Sequence, residues 1–307
     1  MIKAEKATKL FGDCCAVNEL DCSIPKGCIY GLIGSNGAGK STFLRLITGV
    51  YKADMGRVTL EGREIHENPE LKAQIAYVPD ELYFLGNASM KRMAQMYACL
   101  FPGFNEKRFR ELTAAFPLNP ASSINSFSKG MKRQAAIILA LSCMPRYIFF
   151  DETFDGLDPI MRGLVKNFIT NDVLERGVTA IITSHSLREL EDTCDQLALL
   201  HKGGIVFESD IQNLKTSLFK VQIAFEAPYD ESMFQELTIQ SYSKCGSVSS
   251  FIVRGGREET AEILRAKNPI LLDVLPLSLE EVFVHEMSAL GYSFDQAGQQ
   301  GGDENVE

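Results

Sequence analysis

Between residues 28 and 48 the chain passes from a short apolar run, Cys28 to Ile33, through Gly34-Ser35-Asn36-Gly37-Ala38-Gly39-Lys40-Ser41 and into a helical pattern that ends at Thr48. A glycine-rich turn between a strand and a helix, closed by Lys-Ser, allows few folds. Its glycines let backbone N–H groups turn inward around phosphate oxygens at the start of a helix. Lys40 supplies a charge for the outer phosphates, and Ser41 offers a hydroxyl to Mg²⁺. Ser35, Asn36, Gly37, Ala38, Gly39, Lys40, Ser41 and the adjoining Thr42 are the candidate phosphate cradle.

The rest of the chain supplies a sheet for that turn. β-Branched and aromatic runs at 28–33, 75–79, 147–151 and 178–183 alternate with helical patterns, which predicts an α/β domain with a largely parallel sheet. From 81 to about 145 the strand rhythm stops. Helices are expected at 90–101 and 106–116, broken by Pro102-Gly103 and Pro117, so this stretch reads as a helical insertion. After about 210 the pattern changes again. Strands are expected at 218–227, 238–243, 247–253 and 270–275, with helices at 258–266 and 278–287. The organisation expected is therefore an α/β domain over 1–210, a small α+β domain over 211–290, and a disordered tail over 291–307. No internal repeat is visible.

A net charge of -9 gives no basic field for nucleic acid or an anionic membrane, so a polyanionic ligand needs a local positive site. The longest apolar stretches, such as Ala135 to Met144, are far short of the ~20 residues that span a bilayer. No apolar signal region opens the sequence, and the eight cysteines lack metal-ligand spacing, which fits reduced thiols in the cytosol.

Further chemistry is expected where strands end. The run 147–150 is apolar and delivers Asp151 and Glu152 to the C-terminal sheet edge, where the glycine-rich turn also lies. Asp151 can reach Mg²⁺ through water, and Glu152 can polarise the water that attacks a γ-phosphate. His185 follows the strand at 178–183, where an imidazole can hydrogen-bond the γ-phosphate. Ser128, in Phe127-Ser128-Lys129-Gly130-Met131, reads as a helix N-cap, and Asp158-Pro159 as a helix start.

Taken in order, the glycine-rich P-loop, Ser128-Lys129-Gly130, Asp151-Glu152, Leu157-Asp158 and His185 resemble the ABC ATPase family over roughly 1–210. The resemblance implies a P-loop NTPase core of ABC type with a helical subdomain, binding ATP and Mg²⁺. It implies that Ser128 and Gly130, with the charge of Lys129, belong to a lid over the nucleotide of a partner subunit, and that Asp158 is a further nucleotide-binding position. It also implies that Phe11, in Lys9-Leu10-Phe11-Gly12, stacks on adenine. This chain departs from the family in places. Asp80, in Tyr77-Val78-Pro79-Asp80, stands where the family has Gln; a carboxylate can still contact Mg²⁺ but lacks the amide's donors. Lys129 and Met131 replace signature Gly and Gln, and Thr153-Phe154 replaces Pro-Thr.

The function that the resemblance implies is an ATP-hydrolysing transporter subunit, paired as homodimer or heterodimer with a second such ATPase. It would drive separate transmembrane permease subunits from the cytoplasmic face of the membrane, with Tyr83, Phe84 and the helices that follow as docking surface. The run Pro276 to Phe283 resembles exporter ATPases, although a Ser-capped amphipathic helix would give the same string. Two rivals stay open: a soluble ABC ATPase without a transport partner, and a weakly hydrolysing regulatory nucleotide binder.

Overall fold

The computed structural model describes residues 1–289; the tail expected over 291–307 lies outside the described residues. The chain divides into two compact units, Met1–Ser209 and Asp210–Glu307. The first opens with β1 (Ile2–Phe11), β2 (Cys14–Ile24), β3 (Ile29–Ile33) and α1 (Lys40–Ile47). Next come β4 (Met55–Leu60), β5 (Arg63–Glu64), α2 (Pro69–Lys72) and β6 (Ile75–Val78). Three helices follow, α3 (Met90–Leu100), α4 (Glu106–Ala115) and α5 (Lys129–Ser142), in the stretch where the strand rhythm breaks. The unit ends with β7 (Tyr147–Asp151), α6 (Pro159–Arg176), β8 (Thr179–Ser184), α7 (Leu187–Glu191), β9 (Gln196–His201) and β10 (Gly204–Asp210).

Six strands form the main sheet in the order β10-β9-β3-β8-β7-β6, and the pairs from β9 to β6 are parallel. β3, β7 and β8 are buried along their whole length. That burial explains why they read as continuous apolar runs rather than alternating ones. Helix α1 buries Phe43, Leu44, Leu46 and Ile47 in a core shared with Tyr30, Leu32, Phe149 and Ile181. α5 packs against α3, α4 and β6, so the helical stretch leans on the sheet's edge strand.

A second sheet of the same unit, β2-β1-β4-β5, is antiparallel and was not expected from the sequence. Its long β1–β2 ladder carries register shifts between Ala4 and Ala7 and again from Ala7 to Leu10. Each bulge flips the side-chain alternation, so no sustained period of two survives in the sequence to announce the strands.

The second unit contains α8 (Ile211–Ser217), β11 (Leu218–Ala224), β12 (Ile239–Cys245), β13 (Val248–Arg254), α9 (Arg257–Arg265), β14 (Leu271–Pro276) and α10 (Leu279–Ala289). Its strands make one antiparallel sheet ordered β12-β13-β11-β14. Phe219, Phe225, Phe234 and Phe251 fill a core of its own with Val221, Ile223 and Leu264. Among the described residues no helix is long and apolar enough to cross a membrane, and all eight cysteines are free thiols.

Candidate functional site

β6, β7, β8 and β3 lie side by side and parallel, so the residues at and just past their C-terminal ends share one edge of the sheet. Those residues are Asp80, Asp151-Glu152, Ser184-His185 and the glycine-rich turn. The turn holds its shape by close approach: at Gly39, φ is +107°, and a Cβ would lie 2.4 Å from the Ala16 carbonyl oxygen. Any side chain there is excluded. α1, which begins at Lys40, has no side-chain cap on its N-terminus. Its first N–H groups are therefore unclaimed by the chain's own side chains, as an anion cradle requires. Ser35, Asn36 and Gly37 are exposed, Gly39, Ser41 and Thr42 half-buried, and Ala38 buried.

Lys40 is 6% exposed. Its ammonium donates to the carbonyls of Gly34 at 2.6 Å and Ser35 at 3.2 Å, and lies 2.9 Å from Glu152 Oε1. The other Glu152 oxygen, Oε2, is 2.9 Å from His185 Nδ1, which also stands 3.7 Å from Asp155 Oδ2. Burial alone would push the Glu152 carboxyl up, but the hydrogen bonds from Lys40 and His185 outweigh it and hold the group below its usual range. His185 is raised, first by its hydrogen bond to Glu152 and then, against some desolvation, by the Asp155 charge.

Asp151 is 1% exposed and accepts three hydroxyl bonds. Ser41 Oγ donates at 3.1 Å and Thr183 Oγ1 at 2.9 Å to Oδ1, and the Tyr77 hydroxyl donates at 3.0 Å to Oδ2. Burial first, then the Asp151 charge, pushes the Tyr77 phenol up, so it stays a donor. Ser41 and Asp151 thus present a hydroxyl and a carboxylate side by side, the all-oxygen donor set a hard divalent cation takes. Asp80 is not in that group. Its Oδ1 lies 2.6 Å from Arg133 Nη2 on α5, and Arg133 Nη1 donates to the Glu152 carbonyl.

Residues 17–155 match the family described as ABC transporter. A Bacillus subtilis (strain 168) protein named ABC transporter ATP-binding protein YtrB is 29% identical over 284 residues, spanning 92% of this chain and 97% of that one. The lantibiotic transport ATP-binding protein SrtF of Streptococcus pyogenes is 31% identical over 235 residues, 74% of this chain and 99% of SrtF. The chain belongs to the ABC transporter ATP-binding family. It is an ABC ATPase subunit. In fold it superposes on a dimeric ATP-binding cassette described as a post-hydrolysis state bound to ADP and Pi, with a TM-score of 0.62 at 20% identity, covering 69% of this chain and 99% of that chain.

Other positions in this ABC ATPase stand away from the Lys40–Glu152–His185 cluster. Ser128 caps α5, accepting from the Met131 N–H at 3.2 Å. Asp158 caps α6, accepting from the N–H groups of Ile160 at 3.1 Å and Met161 at 3.0 Å. Both side chains are exposed and bonded to their own helices. A Cβ on Gly130 would meet the Gly156 carbonyl oxygen at 2.8 Å, so the starts of α5 and of the loop before α6 touch only because residue 130 is glycine. Exposed Lys129 lines, with Asp80, Glu81, Leu82, Lys132 and Arg133, a groove of about 530 Å³. Phe11 is 46% exposed and meets Tyr51 edge-on, with ring centroids 5.4 Å apart.

Four residues that sequence reasoning missed complete the site: Tyr77, Arg133, Asp155 and Thr183. Thr183 is the most instructive. Its hydroxyl donates to Asp151 and accepts from the Glu152 N–H at 3.0 Å, a bridge set by the β7–β8 register that pairs Asp151 with Thr183. Asp155 carries the clearest signal, a second carboxylate three residues after Glu152.

Proposed function

We propose that this ABC ATPase hydrolyses Mg-ATP on the sheet edge described above, with Glu152 as general base, and that two such subunits close face to face to drive membrane-spanning partners in export. One observation carries the reading: Lys40 and His185 grip the two oxygens of Glu152 at 2.9 Å each. The charge suited to a phosphate is countered here by the carboxylate suited to activating water. An arriving γ-phosphate competes for Lys40 and so frees Glu152 to accept a proton, while His185 is placed to donate to phosphate oxygen. Mg²⁺, held by Ser41 and Asp151, would neutralise phosphate charge, while Asp80 is engaged by Arg133.

Ser128 and Lys129 are exposed and Gly130 half-buried at the start of α5, which supports their serving the partner's ATP, with exposed Asp158 a further nucleotide-binding candidate. The uncapped positive end of α1 and the Lys129 charge suit the two sides of a triphosphate. Phe11, exposed beside Tyr51, suits a base-stacking role. Export is favoured by the likeness to SrtF, a protein named for lantibiotic transport. The Pro276 to Phe283 resemblance adds little, since Ser278 and Glu281 form a capping box that explains the string by itself.

Turnover by the purified subunit should fall about 10²–10⁴-fold in Glu152→Gln with nucleotide binding retained, whereas Lys40→Ala should lose binding. Sedimentation of the Glu152→Gln protein should shift from monomer to dimer on adding Mg-ATP. Undiminished hydrolysis in either variant would overturn the reading, and loss of hydrolysis in Glu152→Gln would also dispose of a purely regulatory nucleotide binder.

A further inference from the structure

We infer that Arg133, clamped by Asp80, is a positioning residue that sets the orientation of Glu152, an inference that rests on Glu152 being the base. Arg133 is 2% exposed, a depth that guanidinium groups rarely reach unpaired. Its two terminal nitrogens bind different loops: Nη1 donates to the Glu152 carbonyl, and Nη2 is 2.6 Å from Asp80 Oδ1. Those loops leave β7 and β6, adjacent parallel strands. One side chain on α5 therefore ties both strand ends together.

The tie falls where Glu152 needs it. Glu152 has φ of +47°, a left-handed conformation that residues with side chains seldom adopt without support. Thr183 Oγ1 accepts from its N–H at 3.0 Å, and Arg133 takes its carbonyl. Both peptide planes flanking the Glu152 Cα are thus held, which fixes the direction in which its side chain leaves the backbone. The Asp155 N–H also reaches that carbonyl, at 3.3 Å, so Arg133 adds the side-chain hold from a different element to a contact within the same turn.

Asp80 supplies what keeps Arg133 in place. A buried guanidinium needs a countercharge, and the Asp80 side chain gives one from a half-exposed position, 52% accessible. The neutral Gln of the resemblance could not do so. Arg133 Nε is buried without a hydrogen-bond partner, so the two terminal nitrogens carry the whole connection. A lysine, with one compact charge, cannot span both contacts. Asp80 thereby acts on Glu152 through Arg133, and a displacement of the Asp80 loop is felt at the base.

The experiment uses the full chain and steady-state ATP hydrolysis in Asp80→Asn, Asp80→Glu, Arg133→Lys and the Asp80→Asn/Arg133→Lys double variant. Asp80→Asn keeps shape at a half-exposed position, so it remains informative if Arg133→Lys folds poorly. The expected result is a fall in kcat of about 10–100-fold in Asp80→Asn and in Arg133→Lys, as a displaced catalytic group gives, with KM for ATP and the Mg²⁺ midpoint within about twofold of wild type. Asp80→Glu should recover part of the kcat, and the double variant should be no worse than Arg133→Lys. Unchanged kcat in Asp80→Asn, multiplicative losses in the double variant, or a raised Mg²⁺ midpoint, which would make Asp80 a metal contact, would each overturn the proposal. Glu152→Gln is run alongside. If it retains turnover, the base assignment itself fails; if it loses turnover while Asp80→Asn does not, only the clamp fails.

Discussion

At His185 one imidazole nitrogen stands between two carboxylates, and the sign of its pH dependence follows. Its value is raised from the ordinary 6.5, so its share of the His185–Glu152 contact is complete below that pH and is lost as pH rises through the raised value. Glu152 is lowered from 4.5, so its share is present above 4.5 and fades as pH falls through the lowered value. The contact is therefore whole between pH 4.5 and 6.5. An NMR titration of the nucleotide-free protein should place the His185 midpoint above 6.5, and Glu152→Gln should bring it down. A midpoint indifferent to Glu152→Gln would contradict the geometry. Residues of this kind differ in legibility. Lys40, Ser41, Asp151 and Glu152 can be picked out because their neighbours in sequence are also their neighbours in chemistry. Tyr77, Arg133 and Thr183 meet Asp151, Asp80 and Glu152 only through strand register and the packing of α5 on β6, which no local spacing encodes.

For whole elements the same contrast holds. The parallel strands β3, β6, β7 and β8 are legible because burial on both faces makes them unbroken apolar runs, whereas the bulged β1–β2 ladder is not. Helix α10 was legible from its start signal. Ser278 Oγ accepts from the Glu281 N–H at 3.3 Å, and Glu281 Oε2 accepts from the Ser278 N–H at 2.9 Å. The backbone bond from Ser278 first, then its hydroxyl, holds the Glu281 carboxyl low. The cap matters because it begins a helix whose Leu279 and Val282 are fully buried. Ser278→Ala should cost about 1 kcal/mol, read as a lower urea midpoint for the second unit. An unchanged midpoint would show that packing of those side chains, not the cap, fixes the helix start.

Over the whole molecule, the proposed coupling to a membrane-spanning partner would leave the ATPase unit through the segment after Asp80. Tyr83 is 84% exposed, the highest value among the exposed large apolar side chains of the described residues, between the Asp80 loop and α3. Paired with half-buried Phe84, it would offer an aromatic contact to the membrane-spanning partner proposed above. Tyr83→Ala should leave hydrolysis by the isolated subunit within about twofold, as surface changes do, yet lower co-purification with its membrane partner. Retained assembly and transport would refute that docking. Finally, the aromatic cluster around Phe234 belongs wholly to the second unit, and the cluster around Phe43 wholly to the first. Each can be inherited separately. Lineages could graft, shorten or discard the C-terminal module while the engine is passed on unaltered, and a chimera carrying a foreign module should still burn ATP.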